Sequence, residues 1–140
     1  MRQVLFAAAI AAMPLAIRAD PPSAPGPDLG PPISAAQFDA YSEGKTLFYA
    51  ESGQVWGSEH YMPNHQVMWA FTGQDCEYGQ WYDDHGAICF VYEGNPNPNC
   101  WHFYLGSTGL VAKFLSGSSL LSEVGQTSEP MQCAGPQVGA

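Results

Sequence analysis

Glu59, His60 and His65 are the residues whose types and spacing could hold a metal. If Tyr61–Asn64 forms a four-residue loop, two imidazoles face each other across a hairpin with a carboxylate beside them. That donor set suits zinc or copper. The reading depends on register, because sliding one strand by a single residue turns the two histidines to opposite faces. In that case they are ordinary polar residues at loop ends. Other patterns point away from catalysis. Asp83-Asp84-His85-Gly86 has the composition of a tight turn and lacks the alternating oxygen ligands of an EF-hand loop. No serine stands in Gly-x-Ser-x-Gly and no Gly-rich phosphate loop occurs. Nothing in the sequence brings carboxylates such as Glu59 and Glu77 together as an acid–base pair. The chain is therefore expected to be no enzyme and to need no cofactor.

Four cysteines, Cys76, Cys89, Cys100 and Cys133, make an even set without any C-x-x-C pair. Neither a zinc knuckle nor a thioredoxin-like centre fits that spacing, and two structural disulfides do. Cys89 and Cys100 fall on runs expected to be hairpin neighbours, which pairs them and leaves Cys76 for Cys133. Symmetric pairing about the Asn/Pro-rich segment between them would set Cys89 opposite Phe103, so the first bridge needs a bulge or an offset. Aromatic residues form 13% of the chain. Trp56, Trp69, Trp81 and Trp101 each lie on a different run. They could line a barrel mouth and stack on a small apolar ligand or a sugar. Filling a core that is poor in Leu and Ile is the competing account for most of these aromatics, tryptophans included.

The elements that must position these residues are short. Ser34, followed three places later by Gln37, matches a capping box, and Phe38 and Tyr41 share one helical face before Gly44 stops the helix. From Lys45 onward come β-prone runs divided by turn residues: Thr46–Ala50, Val55–Tyr61, His65–Phe71, Asp75–Tyr82, Ala87–Tyr92, Cys100–Leu105 and Leu110–Leu115. Most are joined by hairpin-length turns, which predicts an antiparallel meander. His65, Val67, Trp69 and Phe71 share one face of the third run. Ile88–Tyr92 and Trp101–Leu105 are apolar on both faces and read as central strands, covered outside by the helix or the C-terminal segment. The expected fold is mainly β: a meander of about seven strands, curved or closing into a small barrel, with one short N-terminal helix. An open sheet packed on the helix is the alternative. After Leu115 comes a Gly/Ser-rich stretch (Ser116–Ser119), then Leu120, Leu121 and Val124, and Glu129–Pro136 has neither helical nor strand period and reads as an irregular tail stapled by Cys133.

Gly44-Lys45-Thr46-Leu47, Cys76 with Gly79-Gln80-Trp81-Tyr82, Ile88-Cys89-Phe90-Val91-Tyr92 and Cys100-Trp101 form an ordered series over about residues 38–133. The series resembles a family of small exported proteobacterial proteins of unknown function, which share a Gly-Lys-Thr start, a Gly-x-Trp strand and an Ile-Cys…Cys-Trp strand pair. The resemblance implies a β-meander or small barrel and brings no catalytic residue with it.

Met1-Arg2, the apolar stretch Val4–Ala16 and the small Ala19 follow the order of a secretory signal over residues 1–19. The stretch is too short to span a bilayer, and no later segment comes near the roughly 20 apolar residues required. Residues 20–33 hold six prolines and two glycines and read as an extended tether. Residues 34–140 form a single domain. Removal of 1–19 takes away Arg2 and Arg18 and no acid, moving the net charge from −9 to −11. Two lysines cannot neutralise a run of phosphates, so nucleic acid is excluded as a partner, as is docking on anionic lipid or membrane insertion after signal removal. The expected location is the periplasm or the medium. The expected role is a non-enzymatic module that binds a protein or a small apolar or sugar ligand, with cationic partners favoured by charge. A metal-binding protein built on His60, His65 and Glu59, or a purely structural envelope component, are the other readings.

Overall fold

The computed structural model describes residues 27–133. The expected signal segment, the first half of the proline-rich tether and the end of the tail lie outside the described residues. After the helix α1 (Ala35–Ser42) come eight strands: β1 (Thr46–Glu51), β2 (Gln54–Tyr61), β3 (Gln66–Phe71), β4 (Glu77–Asp84), β5 (Ala87–Tyr92), β6 (Asn95–Gly106), β7 (Gly109–Phe114) and β8 (Leu120–Thr127). Each pairs antiparallel with the next, and β8 also pairs with β1, so the meander closes into an up-and-down barrel. Closure satisfies every strand edge without a second sheet. The open-sheet alternative is thereby replaced. The sequence reading of about seven strands ends at Leu115, and the structure adds Leu120–Thr127 as the eighth.

Alternation sorts the side chains. Leu47, Val67, Ile88, Phe103 and Leu110 point inward and are almost wholly buried. Tight turns set the register. Ser52-Gly53 and His85-Gly86 all have positive φ, the backbone of two-residue hairpin turns whose twist matches that of the strands. Between β5 and β6 the turn is Glu93-Gly94, and β6 takes up the Pro-rich stretch as an irregularity: Tyr92 pairs with Asn95 but Phe90 with Asn99. Cys89 and Cys100 are thus directly opposed on the outer face, with Cα atoms 4.0 Å apart and the sulfurs bonded. The offset needed for that bridge comes from a turn centred nearer Cys89 than the Asn/Pro segment suggests.

The runs that are apolar on both faces are not central strands, since a closed barrel has none. Ile88, Phe90, Trp101 and Phe103 fill the interior, while the outer face of β5 and β6 carries the disulfide. The C-terminal segment crosses the outside of β1–β3 instead. The Thr46 hydroxyl donates to the Glu129 carbonyl (2.8 Å), the Ser58 hydroxyl donates to Met131 Sδ (3.0 Å), and Cys133 is bonded to Cys76 just ahead of β4.

One barrel end is plugged by α1. The capping box forms as read from sequence: Ser34 Oγ accepts the Gln37 N–H, and Gln37 Oε1 accepts the Ser34 N–H. Two turns of helix are too short to be stable alone, so the contacts of Phe38 hold it. The Phe38 ring is fully buried among Phe103, Trp81, Tyr61 and Phe90, with centroids 4.4, 5.2, 5.5 and 6.3 Å away. At the edge, the Tyr41 hydroxyl donates to Glu123 Oε2 (2.8 Å), which also accepts the Leu110 N–H (2.7 Å). Burial and the adjoining carboxylate push the Tyr41 phenol up to about 12, so it is a neutral donor throughout. No helix among the described residues is long and apolar enough to cross a membrane.

Candidate functional site: an aromatic cavity with a buried carboxylate

Opposite the plug the barrel is not filled. A cavity of about 440 Å³ is open at the end formed by the β1–β2, β3–β4, β5–β6 and β7–β8 connections. Its wall carries Trp56, Trp69, Phe71, Trp101 and Phe114, with Asn95, Asn99 and Ser119 toward the rim. The rings form a continuous cluster: Trp56 lies 5.2 Å from Trp69, 5.0 Å from Phe71 and 6.3 Å from Trp101, and Trp101 lies 4.8 Å from Phe114.

Trp56 owes its place to a bulge. Tyr49 pairs with Gly57 and Ala50 with Val55, so Trp56 is the extra residue of β2. Strict alternation would put Trp56 and Glu59 on opposite faces, and the bulge brings both inward, the kind of re-aiming that bulges supply. The next residue must be glycine, because a Cβ on Gly57 would lie 2.5 Å from the Trp69 indole and 2.5 Å from the Ala70 carbonyl oxygen.

Deeper in the wall, Glu59 is 4% exposed. Tyr92 donates to Oε1 (2.6 Å) and Tyr61 donates to Oε2 (3.0 Å). The Tyr61 hydroxyl has one proton and gives it to Glu59, so Tyr49, 2.9 Å behind it, donates to Tyr61. Burial pushes the Glu59 carboxyl up to about 7, against the opposing pull of the two hydrogen bonds. Burial also lifts the Tyr49, Tyr61 and Tyr92 phenols well above their usual range, so all three remain neutral donors. Glu77 of β4 lines the same cavity, so two carboxylates that the sequence left unconnected share one site. Trp69 lies between them, paired with Glu59 on β2 and with Glu77 on β4.

The residues singled out from sequence divide. Trp56, Trp69 and Trp101 meet in the cavity. Trp81 lies at the plugged end, buried against Phe38 and stacked on His65 with centroids 3.7 Å apart, and belongs to the core. The set Glu59, His60 and His65 is not brought together. Neighbours on a strand point to opposite faces, so Glu59 enters the barrel while His60 lies outside, 2.9 Å from the Thr46 hydroxyl. That hydroxyl proton goes to the Glu129 carbonyl, so His60 Nδ1–H is the donor. The β2–β3 connection is also wider than supposed. His60 pairs with Met68, while His65 sits in a 3-10 turn (Pro63–His65), 3.8 Å from exposed Asp39. Among the described residues, no group of three or more His, Cys, Asp or Glu side chains converges as a metal site would require. The four cysteines form the two expected disulfides.

Sequence reasoning missed the tyrosine hydroxyls around Glu59, although a signal was present. Glu59 and Tyr61 are two apart on one strand, as are Phe90 and Tyr92, and each pair shares a face. Comparison with protein-family models, with characterised proteins and with solved structures returns no match. The role of each residue therefore rests on its own geometry.

Proposed function

We propose that the protein is an exported, non-enzymatic binding module that holds a small molecule with an apolar or aromatic body inside the barrel. The observation that carries this reading is the asymmetry of the interior. Phe38 packs one end solid, and the other end keeps an open cavity of about 440 Å³ walled by three tryptophans. That volume lies in the range of small-molecule sites, and an aromatic wall with few polar groups is their usual lining. Two disulfides fit an oxidising compartment, and with the signal-like N-terminus they support the periplasm or the medium as the site of action.

Titration of the protein with the uncharged fluorescent probe N-phenylnaphthylamine tests the reading. One probe per chain is expected to bind, with enhanced probe emission and quenched tryptophan emission. Ala112→Phe, which fills the cavity from β7, and Asn99→Trp, which narrows its mouth, should each abolish binding while the melting transition stays cooperative. Unchanged binding in both folded variants would place the ligand elsewhere and overturn the proposal.

A further inference from the structure

Charge inside the cavity is one-sided. Glu59 and Glu77 line it, and no lysine, arginine or histidine of the described residues does. Both lysines are accounted for elsewhere: Lys45 lies over the Tyr41 ring at the helix end (4.4 Å), and Lys113 is exposed on the outer face of β7. A carboxylate as buried as Glu59 ordinarily has a cationic partner, and here it has only phenolic donors. Cross-strand register puts Glu59, Trp69 and Glu77 side by side on the inner face of β2, β3 and β4. Directly opposed residues have Cβ atoms roughly 5 Å apart, so the Trp69 position has a carboxylate-bearing neighbour on each side. Trp56 and Trp101 complete an aromatic wall around that row.

Resting on the cavity reading above, we propose that the ligand is an organic cation, a quaternary or protonated amine on an apolar body, with its head in the Glu59–Trp69–Glu77 row and its body among Trp56, Trp101 and Phe114. A positive charge there meets the negative face of an indole with the buried Glu59 carboxylate on one side and the more open Glu77 on the other. A neutral sugar or hydrocarbon leaves Glu59 without a counter-charge, and an anion is repelled by both carboxylates. The excess of acidic residues over the whole chain adds a field that draws cations in.

Tryptophan fluorescence titration of the disulfide-intact exported protein at about pH 8 distinguishes these ligands. The probes are phenyltrimethylammonium and its uncharged isostere tert-butylbenzene. The cation is expected to bind at least about tenfold more tightly than the isostere, in line with a desolvated cation–π contact reinforced by charge. Glu59→Gln should weaken the cation about tenfold and leave the isostere within about twofold. Glu77→Gln, at the more open position, should weaken the cation less. A check needing no variant is also available, because the charge of this probe is fixed. Its affinity should rise with pH through about 7, where Glu59 ionises. The titratable groups facing Glu59 are Tyr49 of β1, Tyr61 of its own strand and Tyr92 of β5, with Tyr41 and Glu123 acting on Tyr49 and Glu77 of β4 acting on Tyr92. The phenols among these are all raised and stay neutral across that range. Equal affinity for the two probes, or a pH-independent cation affinity, overturns the cation inference. If N-phenylnaphthylamine still binds, the cavity reading survives that result. Failure of all three probes overturns both.

Discussion

A carboxyl group with little solvent and no cation beside it keeps its charge only if donors surround it, and Glu59 is balanced near that limit. Its folded value of about 7 lies above the 4.5 expected in the unfolded chain. Between those values the folded state holds the proton that the unfolded state has released, so stability falls as pH rises across that window. The shift corresponds to a loss on the order of 3 kcal/mol, complete only above the folded value. Glu59→Gln keeps an acceptor for one tyrosine and a donor for the other and removes the titration. The variant should therefore gain on the wild type as pH rises from 4.5 to 7 and should be the more stable of the two above it. Urea midpoints of both proteins across that range measure the difference. Parallel pH profiles would mean that Glu59 titrates as an exposed carboxylate does. A bound cation reverses the penalty, which links ligand binding to proton release from the same residue.

At the scale of the elements, α1 and the β2 bulge shape the cavity from opposite ends. Phe38 stands where the barrel would otherwise be hollow throughout, so Phe38→Ala leaves four aromatic rings without their shared partner. Such truncations cost about 3–5 kcal/mol, with the spread set by how far the site collapses. A chemical-denaturation midpoint lowered accordingly is expected. A loss below about 1 kcal/mol would show that the helix merely rests on the barrel. The capping box and the strand runs were legible because local chemistry dictates them: Ser34 and Gln37 at fixed spacing, alternation in Val67, Trp69 and Phe71, Gly86 after an acidic turn. Bulges are not legible in that way. The extra residue at Trp56 breaks the period that would have put this tryptophan on the face opposite Glu59. A second shift, where Phe48 pairs with Gly125 but Tyr49 with Glu123, hides the alternation of β8 around Val124. Gly57 is explained by Trp69 and the Ala70 carbonyl on the neighbouring strand, contacts that exist once register is known. The proposed metal trio failed on a point the sequence did contain, since Glu59 and His60 are adjacent and a strand sends neighbours apart.

On the scale of the whole molecule, closure between β1 and β8 is the strand pairing most distant in sequence among the described residues, and it makes the cavity a cavity and not a groove. Such long-range pairing is entropically expensive to form, and the two disulfides reduce that cost unequally. Cys89–Cys100 spans 11 residues and crosslinks strands that a tight turn already holds together. Cys76–Cys133 spans 57 residues and encloses β4 through β8, together with the segment laid over β1–β3. In the chain-entropy model the longer loop stabilises by about 4 kcal/mol and the shorter by about 3 kcal/mol. The longer bridge also holds Met131 and Glu129 against Ser58 and Thr46, contacts that have no other tether on their C-terminal side among the described residues. Replacing Cys76 and Cys133 by serine should therefore lower the melting temperature more than replacing Cys89 and Cys100. It should also expose the amide protons of β1 and β8 to hydrogen exchange well before those of β5 and β6. The reverse order, with β5 and β6 exchanging first in the Cys76/Cys133 variant, would show that the barrel opens at the β5–β6 hairpin and that the tail is not what keeps it shut.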